Sequence, residues 1–128
     1  MEITVTHTKP DAIACRGYVG SINETLSVMG SKWAVFVIVA LVAGPRRFSD
    51  LKREIPAVSQ KMLTQTLRDL ERDGLVQRHV TPIIPPRVEY QLTAMGEEIC
   101  APIQAIAIWA DRNNARVAEA RKHFDGIN

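Results

Sequence analysis

Residues 59–73 constrain the fold most, because they have the pattern of one amphipathic helix with a clear start and end. Ser59 can accept a hydrogen bond from an N–H group at the helix start, and Gly74 can adopt the left-handed conformation that often ends a helix. The apolar face consists of Leu63, Leu67 and Leu70, flanked by Met62 and Thr66. The opposite face carries Lys61, Gln65, Arg68 and Arg72. One face therefore needs a core, and the other can meet water or a polar partner.

The segment after Gly74 suggests what that partner is. A polar face that simply meets water is the ordinary explanation for such a helix. However, residues 75–80 and 88–92 alternate between apolar and polar side chains, which predicts two half-buried strands. Prolines in the turn at 81–86 keep it out of a regular ladder. A polar-faced helix followed by a β-hairpin is typical of a helix that enters the major groove of DNA with a wing beside it.

Two helices are predicted upstream. Residues 1–12 lack periodicity and predict a flexible arm. From residue 13, Tyr18, Ile22 and Leu26 recur at helical spacing, and Gly30 ends the pattern. Ser31 can cap a second helix over 32–43, in which residues 33–43 are all apolar. A membrane span needs about 20 such residues, so a buried core helix is predicted instead.

A helix-turn-helix is predicted over residues 48–74. Phe48, Leu51 and Ile55 share one apolar face, and Ser49 is a plausible cap for a short helix over 50–55. Pro56 prevents an extension of that helix, and a short loop leads to the helix that begins at Ser59.

The hairpin over residues 75–92 is followed by a last long helix over 93–124. Thr93 is its predicted cap, and Pro102 should kink the helix or mark its true start. Ile99, Ile103 and Ile106 give it more apolar surface than one face of a small domain readily buries. The chain is therefore predicted to be mainly α-helical with a small β-hairpin.

Composition excludes several classes of function. The net charge is only +2, although residues 44–90 hold nine Lys/Arg and six Asp/Glu, a local net charge of +3. The two cysteines are far apart, and no His/Cys cluster has zinc spacing. There is no phosphate-binding glycine loop and no nucleophile elbow, so neither an enzyme, a cofactor nor a metal site is predicted. No apolar signal segment directs export, so a cytoplasmic, non-membrane protein is expected.

The candidate DNA-binding residues are polar or basic side chains on the predicted helix-turn-helix and hairpin. Donors such as Gln, Lys and Arg can read base edges, whereas hydroxyls, arginines and helix starts suit phosphates. Base-edge roles are assigned to Gln60, Lys61, Gln65 and Arg68, and phosphate or groove-flanking roles to Arg46, Arg47, Ser59 and Arg87. Further DNA-binding candidates are Lys32, Ser49 and Thr64, and Arg78 and His79 on the strand behind Arg87. Lys52 and Arg53 are further phosphate candidates, and each basic residue could equally be a solvated charge.

Several segments, in order, carry a resemblance to a known family. They are Ser31-Lys32-Trp33, Arg47-Phe48-Ser49-Asp50-Leu51, the segment 55–65, the segment 70–78 and the segment 85–93. Together they closely resemble the HxlR-type winged helix regulators, which are related to the MarR class. The resemblance runs from about Cys15 to Trp109.

The resemblance implies a bacterial winged helix-turn-helix domain over residues 13–128 with dimerisation helices at both ends. It implies a homodimeric DNA-binding transcriptional regulator, most often a repressor, on a palindromic operator in double-stranded DNA. The dimerisation residues it suggests are Tyr18, Ile22, Leu26, Ile99, Ile103, Ile106 and Trp109.

Members of this family commonly carry Cys-Pro near the N-terminus, and some use that cysteine to sense oxidants or electrophiles. Here Cys15 is followed by Arg16, which can favour the thiolate, so a thiol switch is one hypothesis. A small buried cysteine near the dimer seam is the alternative, and Cys100 is expected to pack. Two further alternatives remain: a small ligand held at the seam near Tyr18, Phe36 and Trp109, and a protein-interaction module without a DNA target.

Overall fold

The computed structural model describes residues 17–29 and 31–127. The predicted arm at 1–12, Cys15 and Gly30 lie outside the described residues. In chain order the elements are α1 (Val19–Met29), α2 (Lys32–Leu41), α3 (Phe48–Glu54), α4 (Gln60–Arg72), β1 (Val76–Thr81), β2 (Arg87–Leu92), α5 (Ala94–Glu98) and α6 (Cys100–Ile127). The predicted mainly helical fold with one small hairpin is confirmed.

The sequence of helix α2 predicts burial on every side. The helix lies at the centre of the fold, but only one of its faces is buried. Ser31 Oγ accepts from the Trp33 amide at 3.2 Å and starts the helix, which ends at Leu41, two residues earlier than predicted. Its buried face consists of Ala34, Val37, Ile38 and Leu41. The opposite apolar face, with Phe36, Val39 and Val42, is more than half exposed. Because water is a poor environment for three such neighbours, this face is a candidate contact surface.

Helix α3 begins two residues earlier than predicted. Ser49 is not its cap: the helix starts at Phe48, and the Asp50 carboxylate accepts from the Arg47 amide at 3.1 Å. The Asp50 carboxylate thus satisfies the N–H group of the cap residue, as the acidic residue of a capping box does. Leu51 is fully buried beneath this turn.

Helix α4 follows the prediction closely. Ser59 Oγ accepts from the Met62 amide at 3.0 Å, and Gly74 ends the helix with φ +77°. Leu63, Leu67 and Leu70 are almost completely buried. Each would cost about 2–5 kcal/mol if it were shortened to alanine, so the apolar face fixes the orientation of the whole helix.

The hairpin is antiparallel, with Val76 opposite Leu92 at the buried root and Thr81 opposite Arg87 at the far end. A short third segment extends it. Arg46 and Tyr90 exchange backbone hydrogen bonds of 2.9 and 2.7 Å, which attach the entry to α3 to strand β2. The hairpin and the helix-turn-helix are therefore connected by main-chain bonds as well as by side-chain packing.

The predicted single C-terminal helix over 93–124 is two helices. Thr93 caps the first, since its Oγ1 accepts from the Gly96 amide at 3.1 Å. The break lies at Ile99, and Pro102 sits in the first turn of α6, where its missing N–H is harmless. Helix α6 then runs for 28 residues and buries none of them in this chain.

Among the described residues, no single helix has both the length and the apolar character needed to cross a bilayer. Residues Val19–Ser27 and Lys32–Leu41 reach that length and composition only as a pair, across a bend of 80°.

Candidate nucleic-acid interface

The outward face of α4 presents the predicted donors. Gln60, Lys61, Gln65 and Arg68 are all exposed, on the side opposite the buried leucines. Because the leucine face is held in the core, the backbone positions from which these side chains extend are fixed. The helix is 13 residues long, about 20 Å, and its diameter of about 10–12 Å suits the width of a major groove.

Two of these candidates already make hydrogen bonds within the chain. Gln65 Nε2 donates to Asp69 Oδ1 at 2.9 Å, and Thr64 Oγ1 donates to the Gln60 carbonyl at 2.8 Å. Asp69 therefore orients the Gln65 amide and also places a negative charge on the donor face. The (i, i+4) spacing of Gln and Asp was the available sequence signal for this pair.

Ser59 does two things at the start of α4. Its Oγ accepts from Met62, yet its hydroxyl hydrogen is still able to donate. The hydroxyl is exposed beside the positive end of the helix dipole. This geometry agrees with the predicted phosphate contact.

An open cleft of ≈ 530 Å³ separates the start of α3 from the hairpin turn. Its lining comprises Arg47, Phe48, Ser49, Ile83, Pro85, Pro86, Arg87 and Val88. Two arginines from distant parts of the sequence thus flank one cleft, with a serine hydroxyl between them. Cationic and hydroxyl groups around a groove of this size suit a phosphodiester strand.

Arg46, which is predicted to contact a phosphate, also has partners within the chain. Its Nε lies 3.3 Å from Glu54 Oε1, and its backbone is bonded to Tyr90. Since charge and backbone are both engaged within the chain, Arg46 connects α3 to the hairpin. Lys52 and Arg53 are engaged as well, through the Pro56 carbonyl and the Asp50 carboxylate, each at 3.1 Å.

The register of the hairpin separates residues that the sequence grouped together. His79 pairs with Glu89, and Arg87 lies on the same face two residues along. Arg78 pairs with Tyr90 on the opposite face. Only His79, and not Arg78, therefore shares a face of the hairpin with Arg87. Arg87 Nε also contacts Glu89 Oε1 at 2.5 Å, an intrachain pair that alternate spacing along a strand could have suggested.

Lys32 lies apart from this group, at the start of α2. Its Nζ sits 4.7 Å from the centre of the Trp33 ring, a cation–π arrangement. The side chain is exposed, so the charge remains available to a partner.

The candidate dimerisation residues fall into two groups. Tyr18, just before α1, and Ile22 and Leu26 on α1 are about half or more exposed, and Ile106 and Trp109 on α6 are 64% and 54% exposed. Ile99 and Ile103, by contrast, are only partly exposed because they pack against the core of their own chain. The exposed share of this surface is therefore carried by α1 and by the part of α6 beyond Ile103.

Helix α6 also carries a regular seam that the sequence interpretation did not identify. Its positions recur at alternating intervals of three and four: Ile103, Ile106, Ala110, Asn113, Val117, Ala120, Phe124 and Ile127. Such spacing is the signature of a helix that packs along its length against another helix. Phe124 and Ile127 at its end are 66% and 69% exposed.

Cys100 is half-buried, and its Sγ lies 3.5 Å from the Gly96 carbonyl oxygen. Burial, and secondarily the nearby Glu97 carboxylate, raises the pKa of this thiol above its ordinary value. The thiol is therefore protonated at neutral pH and is a poor nucleophile. No group of His, Cys, Asp or Glu that could hold a metal ion occurs among the residues the structure describes.

Comparison with known proteins gives a consistent result. The sequence model for the HxlR-like helix-turn-helix family matches residues 28–118. The uncharacterized HTH-type transcriptional regulator YtfH of Escherichia coli (strain K12) is 45% identical over 99 residues, which cover 77% of this chain and 79% of YtfH.

Two solved structures are similar along most of their length. The reduced form of the transcriptional regulator YodB from B. subtilis is 37% identical with a TM-score of 0.67, covering 72% of this chain and 90% of that one. The redox regulator HypR in its reduced form is 34% identical with a TM-score of 0.73, covering 77% of this chain and 98% of that one. YodB has also been solved after diamide treatment, and HypR in its oxidized form.

Proposed function

The chain belongs to the HxlR-like helix-turn-helix family of transcriptional regulators, and we propose that it is a homodimeric repressor that binds a palindromic operator in double-stranded DNA. It carries out no catalysis in this proposal and acts in the cytoplasm, where the DNA lies. Helix α4 reads the major groove, and the hairpin is the wing beside it.

The observation that carries the proposal is the two-sided character of α4. Three leucines hold it in the core, while Lys61, Gln65 and Arg68 stand exposed on its other side. A donor-rich face on a rigid helix, beside a protruding hairpin, matches what base edges in a major groove require. Each well-placed bidentate contact contributes about 1–3 kcal/mol of discrimination against the wrong base.

Phosphate contacts supply affinity and position. We assign them to Arg47, Ser49 and Arg87 around the cleft and to Ser59 at the start of α4. These groups come from α3, α4 and the wing, so together they fix the register of the protein on the duplex. Arg46 is left out of this set because Glu54 and the wing backbone already engage it.

The exposed apolar surface supports a second copy of the chain as partner. A 28-residue helix with no buried residue gains stability chiefly by packing, and the α6 seam is suited to another helix. Tyr18, just before α1, and Ile22 and Leu26 on α1 add to this surface. A two-fold dimer would set its two α4 helices about 34–36 Å apart, one turn of DNA, which matches a palindromic operator.

Binding of the purified protein to the DNA upstream of its own gene tests the proposal. We expect a footprint with two-fold symmetry, and an affinity that falls about a thousandfold between about 50 and 200 mM salt if roughly six phosphates are contacted. Lys61→Ala should weaken binding, whereas the control Lys122→Ala, which removes the same charge from the last turns of α6, should not. Binding that ignores salt or the α4 substitution would favour a protein-interaction module instead.

A thiol switch at Cys15 is the form of regulation we propose. Its support is the similarity to YodB, solved in reduced and diamide-treated forms, and to HypR, described as a redox regulator. The raised pKa of Cys100 makes that second thiol a weak competitor for an oxidant. Diamide should therefore oxidise the Cys15 thiols of two protomers to one disulfide, while it is itself reduced to the hydrazine, and the parent protein should then leave DNA. A ligand at the dimer seam would instead release DNA without any thiol chemistry.

A further inference from the structure

The tip of the wing is apolar, although a surface that meets DNA is usually polar and basic. Ile84 is fully exposed, and Ile83 beside it is 52% exposed. The tip, residues 82–86, contains two isoleucines, three prolines and no charged group. Single exposed apolar side chains are common on protein surfaces, but one displayed at the end of a projecting, stiff hairpin is a specific arrangement.

Building on the proposed function, we propose that the wing tip is an apolar wedge: Ile84 enters the minor groove of the bound duplex, partly unstacks one base step and bends the DNA. Minor-groove proteins commonly insert apolar side chains such as Ile, Leu, Phe or Pro between base pairs for this purpose. The sequence reading by α4 is then joined by a readout of how easily the flanking DNA deforms.

The tip is prepared for insertion before DNA arrives. The strand ladder is complete as far as the Thr81–Arg87 pair, and the Ile83 amide donates to the Thr81 carbonyl at 2.8 Å. Proline rings fix the backbone on both sides of the two isoleucines. Because little conformational freedom is left to lose, insertion carries a small entropic penalty.

The wing has the reach that insertion requires. Two six-residue strands make a hairpin of about 20 Å from root to tip. The root is fixed to the end of α4, since the Leu75 amide donates to the Leu70 carbonyl and the Thr93 amide to the Leu75 carbonyl. Half a turn of DNA, the distance from a major groove to the next minor groove, is about 17 Å.

The charges around the tip favour DNA as the occupant. Arg87 borders the tip directly, and Arg47 lies across the shared cleft, so the phosphate strand between the major and the minor groove would meet a guanidinium on each side of the cleft. Glu89, the nearest acidic group on the wing, is paired with Arg87, so these two side chains together add no net negative charge beside the tip. Two isoleucines alone are also far too small a surface for a stable protein interface, which needs about 600 Å² or more on each partner.

The test measures the bend of the operator duplex in the bound state, by energy transfer between dyes at its two ends. Ile84→Ser should reduce the bend by at least half and lower affinity by about tenfold, while Ile84→Leu should keep both, because leucine also serves as a wedge. Val80→Ala is the matched control: it shortens another exposed β-branched side chain of the same hairpin and should leave the bend unchanged. Ile84→Ser should also abolish any preference for a flexible pyrimidine–purine step at the position of the tip.

Opposite outcomes overturn the wedge. An unbent duplex in the parent complex, or a bend that survives Ile84→Ser, would do so while leaving the DNA-binding function intact. Ile84→Ser could instead change the oligomeric state of the DNA-free protein without changing the bend. That result would assign the tip to a contact between copies and overturn the wedge as well. Failure of the parent to bind any duplex would instead overturn the proposed function itself.

Discussion

Gly96 in α5 is a position where two physical effects predict opposite outcomes for one substitution. Helix propensity alone says that Gly96→Ala stabilises the protein by up to about 1 kcal/mol. The structure says otherwise. A β-carbon on Gly96 would lie 2.1 Å from the Leu75 carbonyl oxygen and 3.2 Å from Leu92 Cδ2. The oxygen belongs to the backbone at the wing root and cannot rotate away, so α5 would have to retreat by about 1 Å.

This shift of α5 determines how much stability Gly96→Ala should cost. Overpacking of this kind costs about 1–3 kcal/mol. The bond from the Gly96 amide to Thr93 Oγ1 and the bond from the Thr93 amide to the Leu75 carbonyl would also lengthen, at about 1 kcal/mol each. After the propensity gain is subtracted, Gly96→Ala should lower the free energy of unfolding by about 2–4 kcal/mol, which corresponds to a Tm lowered by roughly 10 °C.

Urea denaturation followed by circular dichroism measures this change, at one fixed protein concentration because a dimer's stability depends on it. Gly126→Ala in α6 is the matched control, since a β-carbon there would meet nothing within 4 Å. It should leave stability unchanged or raise it by up to about 0.5 kcal/mol, since it lies at a helix end. If Gly96→Ala proved as stable as the parent, the close packing of α5 on the wing root would be refuted.

Four further predictions concern the interface and the thiols. Gln65→Ala should relax base preference at one position of each half-site, at about 1–3 kcal/mol, and an unchanged preference in a binding-site selection would remove Gln65 from the reading face. Arg87→Ala should weaken binding to all sequences alike and reduce the salt dependence of a titration; a change in base preference alone would contradict the phosphate contact. Cys15→Ser should abolish release from DNA by diamide, whereas Cys100→Ser should not. Because the pKa of Cys100 is raised, alkylation at that residue should stay slow at neutral pH and accelerate only above the ordinary range of a thiol, as mass spectrometry of a Cys15→Ser protein can measure.

The parts of the fold that could be predicted are those set by neighbours in sequence. The start and end of α4 follow from Ser59 and Gly74, and its buried face follows from leucine spacing, because caps and periodicity are local properties. The two strands of the wing follow in the same way from the alternation of apolar and polar residues, with a turn between them that prolines exclude from the ladder.

The parts that could not be predicted depend on contacts between segments distant in sequence. Nothing local indicates that Arg46 adds a third segment to the wing through Tyr90. The exposure of Phe36 also depends on where α2 lies relative to the other elements, and not on the composition of α2. At the candidate site, the hydrogen bond from Gln65 to Asp69 could have been predicted, because the two residues are four apart on one helix face.

The length of α6 bears on how a regulator of this shape could respond to a signal. A 28-residue helix is a strut of about 42 Å, so a tilt of about 10° at one end displaces the other by roughly 7 Å. In a two-fold dimer joined through two such helices, a small chemical change near the seam could change the separation of the two α4 helices by more than one base-pair step. DNA would then be released by a mismatch in spacing, with every contact residue left intact.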